Sequence, residues 1–141
     1  MTLSPAHRRV LDDALAVVRG QRQRAEAGGA PFAPDLVWTG PFGLGYLVGV
    51  VDGLCQAAGA PFDDAGLAVF ALVLDDAFGP DDADRLRPQA VALLQAGDAA
   101  FGRGRAWGGN EAMGWARGLH TPAGLVHLAR GDEDRMGPPR E

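Results

Sequence analysis

Three glycines at intervals of four residues, Gly45, Gly49 and Gly53, lie within an apolar stretch that follows Pro41. In a helix this spacing places them on one line, and a second backbone can approach closely where side chains are missing. Leu and Val residues between the glycines form a broad apolar side. The stretch therefore predicts a central helix over residues 43–58 that packs tightly in a soluble core or across a homodimer.

The same apolar segment, residues 36–58, raises the alternative of a membrane-associated subunit. A helix that begins near Pro41 has about eleven residues before Asp52, whereas a membrane span needs about 20 apolar residues. This shortfall argues against membrane insertion and favours close packing within a water-soluble protein.

Apolar residues elsewhere recur at intervals of three and four, which predicts further helices and no strand. Ser4-Pro5 and Asp63 are favourable helix starts, and Asp81 or Asp82 can cap a helix that Pro88 kinks or restarts. In chain order, the predicted helices cover about residues 5–27, 43–58, 64–78, 82–100, 111–117 and 123–130.

These patterns predict an all-α fold, an irregular bundle of four to six helices in a single domain. The position of Pro88 and the long connection over residues 28–42 argue against a regular up-and-down bundle. A chain of 141 residues with 47% apolar and 22% charged residues can bury a substantial core. We expect a helical domain over residues 1–130 and a polar tail over 131–141.

The connection over residues 28–42 is rich in proline and in large apolar side chains, including Phe32, Trp38 and Phe42. Such a segment either packs over the helices as an apolar lid or forms an exposed binding surface. The lid is the preferred interpretation.

The net charge of −5 argues against a nucleic-acid partner, because such binding depends on clustered basic side chains. Cys55 is the only cysteine, so no internal disulfide can form. The first residues lack the apolar region of a signal peptide. Together with a sequence that contains no Lys and no Ile, as GC-rich codon usage produces, these features indicate a cytoplasmic protein of a high-GC bacterium.

Residues 102–118 combine two tryptophans with several arginines in a glycine-rich segment. Arg and Trp are enriched among the residues that dominate binding energies at protein interfaces. The candidate binding residues are Arg103, Arg105, Trp107, Asn110 and Trp115. The alternative is structural, with Trp115 closing the core and Asn110 capping a short helix.

Asp52 is the only ionisable group between Asp35 and Asp63 apart from the Tyr46 hydroxyl and the Cys55 thiol. A partly buried carboxylate needs a cation or hydrogen bonds, which Arg103, Arg105 or Tyr46 can supply. Such a group can also act as a general base, and Asp52 and Glu111 are the candidate catalytic residues. Structural pairing of Asp52 is the preferred interpretation.

No pattern predicts a metal or a cofactor. The histidines His7, His120 and His127 lack the spacing of a zinc site, and the aspartates over residues 75–84 lack that of an EF-hand loop. The glycines do not form a phosphate-binding loop. Cys55, among apolar residues, is expected to behave as a small hydrophobic group with a raised pKa rather than as a nucleophile.

The sequence thus predicts a small interaction or assembly module that associates with itself or with a protein partner. The alternative is a small enzyme or ligand-binding protein with a pocket at Asp52, Glu111 and a histidine. The second alternative is the membrane-associated subunit described above.

Overall fold

The computed structural model describes residues 2–29, 37–119 and 121–129. Within these ranges the chain forms six α-helices and a short 3-10 helix, and no strand. The elements are α1 Pro5–Ala27, the 3-10 helix Val37–Thr39, α2 Pro41–Ala58, α3 Asp64–Phe78, α4 Pro80–Ala96, α5 Ala99–Ala116 and α6 Gly124–Ala129. The prediction of an all-α bundle of four to six helices is confirmed. The predicted polar tail lies outside the described residues.

Side-chain caps fix the starts of three helices. The Ser4 hydroxyl accepts a hydrogen bond from the His7 N–H, and the Asp63 carboxylate accepts from the first turn of α3. Both caps were predicted from the sequence and are confirmed. Asp98 caps α5 in the same way, accepting from the Phe101 N–H. Each cap satisfies backbone donors that a helix leaves unpaired at its first turn.

The buried His7 joins the start of α1 to the connection between α2 and α3. Its Nε2 lies 2.9 Å from the Pro61 carbonyl oxygen and its Nδ1 lies 2.7 Å from the Ser4 hydroxyl. Because a carbonyl only accepts, Nε2 carries the proton and Nδ1 accepts from the hydroxyl. His7 therefore has a structural role here.

Two helices, α4 and α5, have boundaries that differ from the sequence prediction. The helix α5 is continuous from Ala99 to Ala116, so Asn110 lies inside it and does not cap a helix that begins at residue 111. Helix α4 continues through Pro88 without interruption, and it ends at Ala96 because Gly97 adopts a left-handed conformation with φ of 66°. Its N-cap is Gly79 rather than Asp81 or Asp82.

The continuity of α5 follows from its packing rather than from its composition. Interior glycines disfavour a helix by about 1 kcal/mol each relative to alanine, so local propensity predicts a break in this segment. Gly104 and Gly108 are both buried. A Cβ atom on either would lie less than 3.0 Å from the backbone of α2, at the carbonyls of Phe42 and Tyr46. Tertiary contact therefore overrides local preference.

The three glycines of α2, at positions 45, 49 and 53, likewise lie directly against the backbone of α5. A Cβ atom built on Gly53 would lie 2.6 Å from the Gly109 carbonyl oxygen, and one built on Gly45 or Gly49 would lie closer still to an α5 carbonyl. The glycines at 45, 49 and 53 face residues 101, 105 and 109 in that order. Because both series ascend, α2 and α5 run parallel, and α3 and α4 form the connection between them.

The remaining helices cover this pair with apolar side chains. Helix α1 packs against both α2 and α3, and α6 lies against α1 and the 3-10 helix. The largest fully buried side chains come from the 3-10 helix and from every helix: Trp38, Tyr46, Phe70, Phe101, Leu44, Leu47, Leu74, Leu86, Leu125, Gln21, Val10 and Val18. The burial of Trp38 places this part of the 28–42 connection over the core, whereas residues 30–36 lie outside the described ranges.

We predict that Gly49→Ala destabilises the protein by about 1–3 kcal/mol, because the added methyl group has no space beside the Arg105 carbonyl. Gly102→Ala is the matched control, since Gly102 is an exposed α5 glycine with nothing within 4 Å of an added Cβ. That substitution should stabilise the protein by about 0.5–1 kcal/mol. Urea unfolding measures the free energy of unfolding of each variant. A change of the same sign and size in both variants would contradict the packing described.

Candidate functional site

An open groove lies where the parallel helices α2 and α5 end together, beside the first turns of α1. Its volume is about 600 Å³. The lining residues are Arg9 and Asp13 of α1, Leu54 and Gln56–Ala58 of α2, and Met113 and Trp115–Arg117 at the end of α5. We call this the helix-end groove. Of the candidate binding residues, Trp115 is the one that lines it.

Two guanidinium groups border the helix-end groove. Arg9 lies on α1, and Arg117 follows the last residue of α5, and both are exposed. Within the described part of the chain, neither side chain makes a hydrogen bond or an ion pair. Guanidinium groups offer several N–H donors in a planar array that matches a carboxylate. Both groups are therefore available to a bound molecule.

The carboxylate in the groove is Asp13, one helical turn after Arg9. Partial burial raises the pKa of Asp13 above its ordinary value, Arg9 lowers it, and the neighbouring Asp12 raises it. Burial has the largest effect because a charged carboxylate loses hydration there. The native fold therefore holds the Asp13 charge at some cost in stability at neutral pH.

A second group of polar side chains holds α6 in place. The Glu111 carboxylate accepts hydrogen bonds from the Ala123 N–H at 3.0 Å and the Gly124 N–H at 2.8 Å. It also accepts from the Tyr46 hydroxyl. Burial and the Glu111 charge raise the pKa of Tyr46 well above its ordinary value, so the hydroxyl remains a donor. Glu111 thus acts as a side-chain cap for α6.

The fully buried Gln21 completes this network from α1. Its amide nitrogen donates to the Tyr46 hydroxyl at 2.9 Å, and its amide oxygen accepts from the Leu125 N–H at 2.8 Å. The Trp38 indole donates to the Leu125 carbonyl at 2.9 Å. Helices α1, α2 and α5 and the 3-10 helix therefore all bond to the α6 segment, whose predicted presence at 123–130 agrees with the observed helix Gly124–Ala129.

Asp52 forms an ion pair across the α2–α5 contact. Arg105 donates to its carboxylate at 3.0 Å, and the Gln56 amide lies 3.4 Å from the other oxygen. The Arg105 guanidinium also lies 5.7 Å from the centre of the Phe62 ring. Asp52 and Glu111 thus belong to two separate networks, and neither residue lines the helix-end groove.

The other candidate binding residues are distributed around α5. Arg103 is exposed, whereas Trp107 and Asn110 are half-buried. The Trp107 indole nitrogen is buried without a hydrogen-bond partner in the described structure, and its ring packs against the core. The glycines Gly45, Gly49 and Gly53 are buried against α5 of the same chain and are not part of the molecular surface.

No group of three potential ligands among His, Cys, Asp and Glu converges on one point in the described ranges. His7 bonds to backbone and to Ser4, His127 is half-buried on α6, and His120 lies outside those ranges. Cys55 is buried, and burial followed by the charges of Asp52 and Asp63 raises its pKa to about 11. The predicted direction of the Cys55 shift is confirmed.

Among the residues that the structure describes, no helix combines the length and the apolar character needed to cross a bilayer. The central helix α2 is buried on almost all sides by other helices of the same chain.

The sequence patterns did not identify Arg9, Asp13 and Arg117 as groove residues. A pattern that could have indicated Arg9 and Asp13 is the spacing of Arg8-Arg9 and Asp12-Asp13, which lie four residues apart on α1. This spacing places one Arg and one Asp on each of two neighbouring helix faces. Which neighbour each face meets depends on tertiary packing and could not be derived from the sequence.

No protein family model, curated protein or solved structure was found to match this chain. Its function is therefore inferred from the site itself.

We predict that Glu111→Gln loosens α6 without unfolding the α2–α5 pair. The amide has only one accepting oxygen for the N–H groups of Ala123 and Gly124, and it lacks the charge that strengthens these bonds. Amide hydrogens of Leu125 to Leu128 should exchange with solvent roughly tenfold faster, while those of α2 keep their rates. Glu26→Gln, on the exposed side of α1, is the control. Unchanged exchange in α6 would show that Glu111 does not hold it.

We predict that Asp13→Asn raises the free energy of unfolding at pH 7 by less than about 0.5 kcal/mol. A raised pKa in the folded state means that an acid disfavours folding once pH exceeds its unfolded pKa. The gain should vanish at about pH 3, where Asp13 is protonated in both states. Urea unfolding at both pH values tests this, and a destabilised variant at pH 7 would contradict it.

Proposed function

We propose that this chain is a small interaction module that binds an acidic segment of a protein partner in the helix-end groove. The observation that carries the proposal is the presence of two exposed guanidinium groups, Arg9 and Arg117, that make no hydrogen bond or ion pair in the described structure and border a groove containing Trp115. Arg and Trp are the residue types that most often dominate binding energies at interfaces.

The charges of the groove favour a peptide over a simple anion. Asp13 and the C-terminal ends of two helices, each with a partial negative charge, lie beside the two guanidinium groups. A peptide offers backbone donors to the negative groups and an acidic side chain to the arginines. Met113 and Trp115 provide an apolar contact for a neighbouring large side chain.

The sequence supports a cytoplasmic location in a high-GC bacterium for this module. The chain contains a single cysteine and neither Lys nor Ile.

A phage-displayed library of random peptides, selected against the purified wild-type chain, tests this proposal. We expect enrichment of peptides in which Asp or Glu lies beside a large apolar residue. A synthetic peptide of the enriched sequence should bind Trp115→Ala and Arg117→Glu at least about tenfold more weakly than the wild type.

Arg103→Ala is the matched control, because Arg103 is an exposed α5 arginine that does not line the groove. It should bind the synthetic peptide with wild-type affinity. The proposal fails if selection enriches no acidic motif, or if the Trp115 and Arg117 variants bind the peptide as the wild type does.

A further inference from the structure

A second groove lies on a different face of the bundle, between the start of α1 and the middle of α3. Its volume is about 410 Å³, and its lining residues are Thr2, Leu3, Arg8, Leu11, Asp12 and Leu72. Leu72 is 42% exposed and is one of two large apolar side chains with such exposure in the described ranges, the other being Leu119. We call this surface the α1–α3 face.

The α1–α3 face contains two charged residues, Arg8 and Asp12, which carry opposite charges and lie one helical turn apart on α1. Arg8 and Asp12 are both exposed, and their side chains form no hydrogen bond or ion pair with any described residue. Further along the contact between α1 and α3, Arg19 of α1 donates two hydrogen bonds to the Asp76 carboxylate of α3, at 2.5 and 2.9 Å. An ion pair therefore joins α1 and α3 at one end of their contact, whereas the groove separates them at the other end.

We propose that the α1–α3 face binds a second copy of the same chain as a two-fold symmetric dimer. A two-fold axis brings the same patch of both copies together and reverses its direction. A surface with Arg and Asp one turn apart is then complementary to itself, because Arg8 of each copy faces Asp12 of the other. Leu11 and Leu72 of both copies meet between the two ion pairs.

The dimensions of this face indicate a weak, reversible dimer. Helix α3 has 15 residues and is about 22 Å long, and two adjacent helices are about 20 Å wide. A patch of this size lies below the roughly 800 Å² per partner of standard stable interfaces. Self-association is therefore expected in the micromolar range or weaker, and it should weaken as salt screens the ion pairs.

This inference goes beyond the proposed peptide binding, because it uses a surface separate from the helix-end groove. The two proposals can fail independently. Loss of self-association in a variant of the α1–α3 face leaves peptide binding by Arg9, Arg117 and Trp115 in place, and the peptide selection described above detects that difference.

Charge reversal tests the dimer directly by sedimentation equilibrium at low salt. The wild-type mass should rise with concentration from the 14.7 kDa monomer toward the dimer. In either single variant, Arg8→Asp or Asp12→Arg, residues 8 and 12 carry the same charge, so both ion pairs of the dimer become pairs of like charges. Each variant should therefore weaken self-association at least about tenfold. A mixture of the two variants restores both ion pairs, so it should form the dimer that neither forms alone.

The apolar contribution is tested by Leu72→Gln, with Leu119→Gln as the matched control outside the face. We expect Leu72→Gln to remain monomeric at concentrations where Leu119→Gln and the wild type associate. The proposal is overturned if the wild type stays at monomer mass at every concentration. It is also overturned if the single charge reversals associate as the wild type does, or if their mixture forms no dimer.

Discussion

The close backbone contact between α2 and α5 is the constraint on which the rest of this structure depends. Glycines on both helices remove the side chains that would otherwise separate them, so carbonyl groups of one helix lie against the Cα atoms of the other. Contacts of this kind gain dispersion energy and Cα–H···O interactions along their whole length. The gain compensates for the poor intrinsic helix propensity of a glycine-rich α5.

The parallel direction of this pair determines where the helix-end groove lies. Parallel neighbours need a long connection, and α3 and α4 provide it. The C-terminal ends of α2 and α5 consequently meet at one end of the bundle, where they form the helix-end groove with α1. Arginine side chains are favourable near such helix ends, because the negative ends of both helix dipoles lie there.

Helix α6 is held by polar groups as well as by apolar contacts. A helix of six residues cannot stabilise itself, since nucleation is costly and few internal hydrogen bonds form. Glu111, Gln21 and Trp38 supply partners to its backbone, and Tyr46 joins Glu111 to Gln21. Each member of the network satisfies a polar group that would otherwise be buried without a partner.

The sequence alone determined the all-α class, the caps at Ser4 and Asp63 and the buried character of the central helix, because these depend on local hydrogen bonds and on helical periodicity. It did not determine the continuity of α5, since the glycines at 104 and 108 form a helix only against α2. Only the tertiary structure decided which partner Asp52 takes and that Glu111 caps α6. The two faces of α1 acquire their distinct surroundings in the same way, because groups distant in sequence meet only when the helices pack.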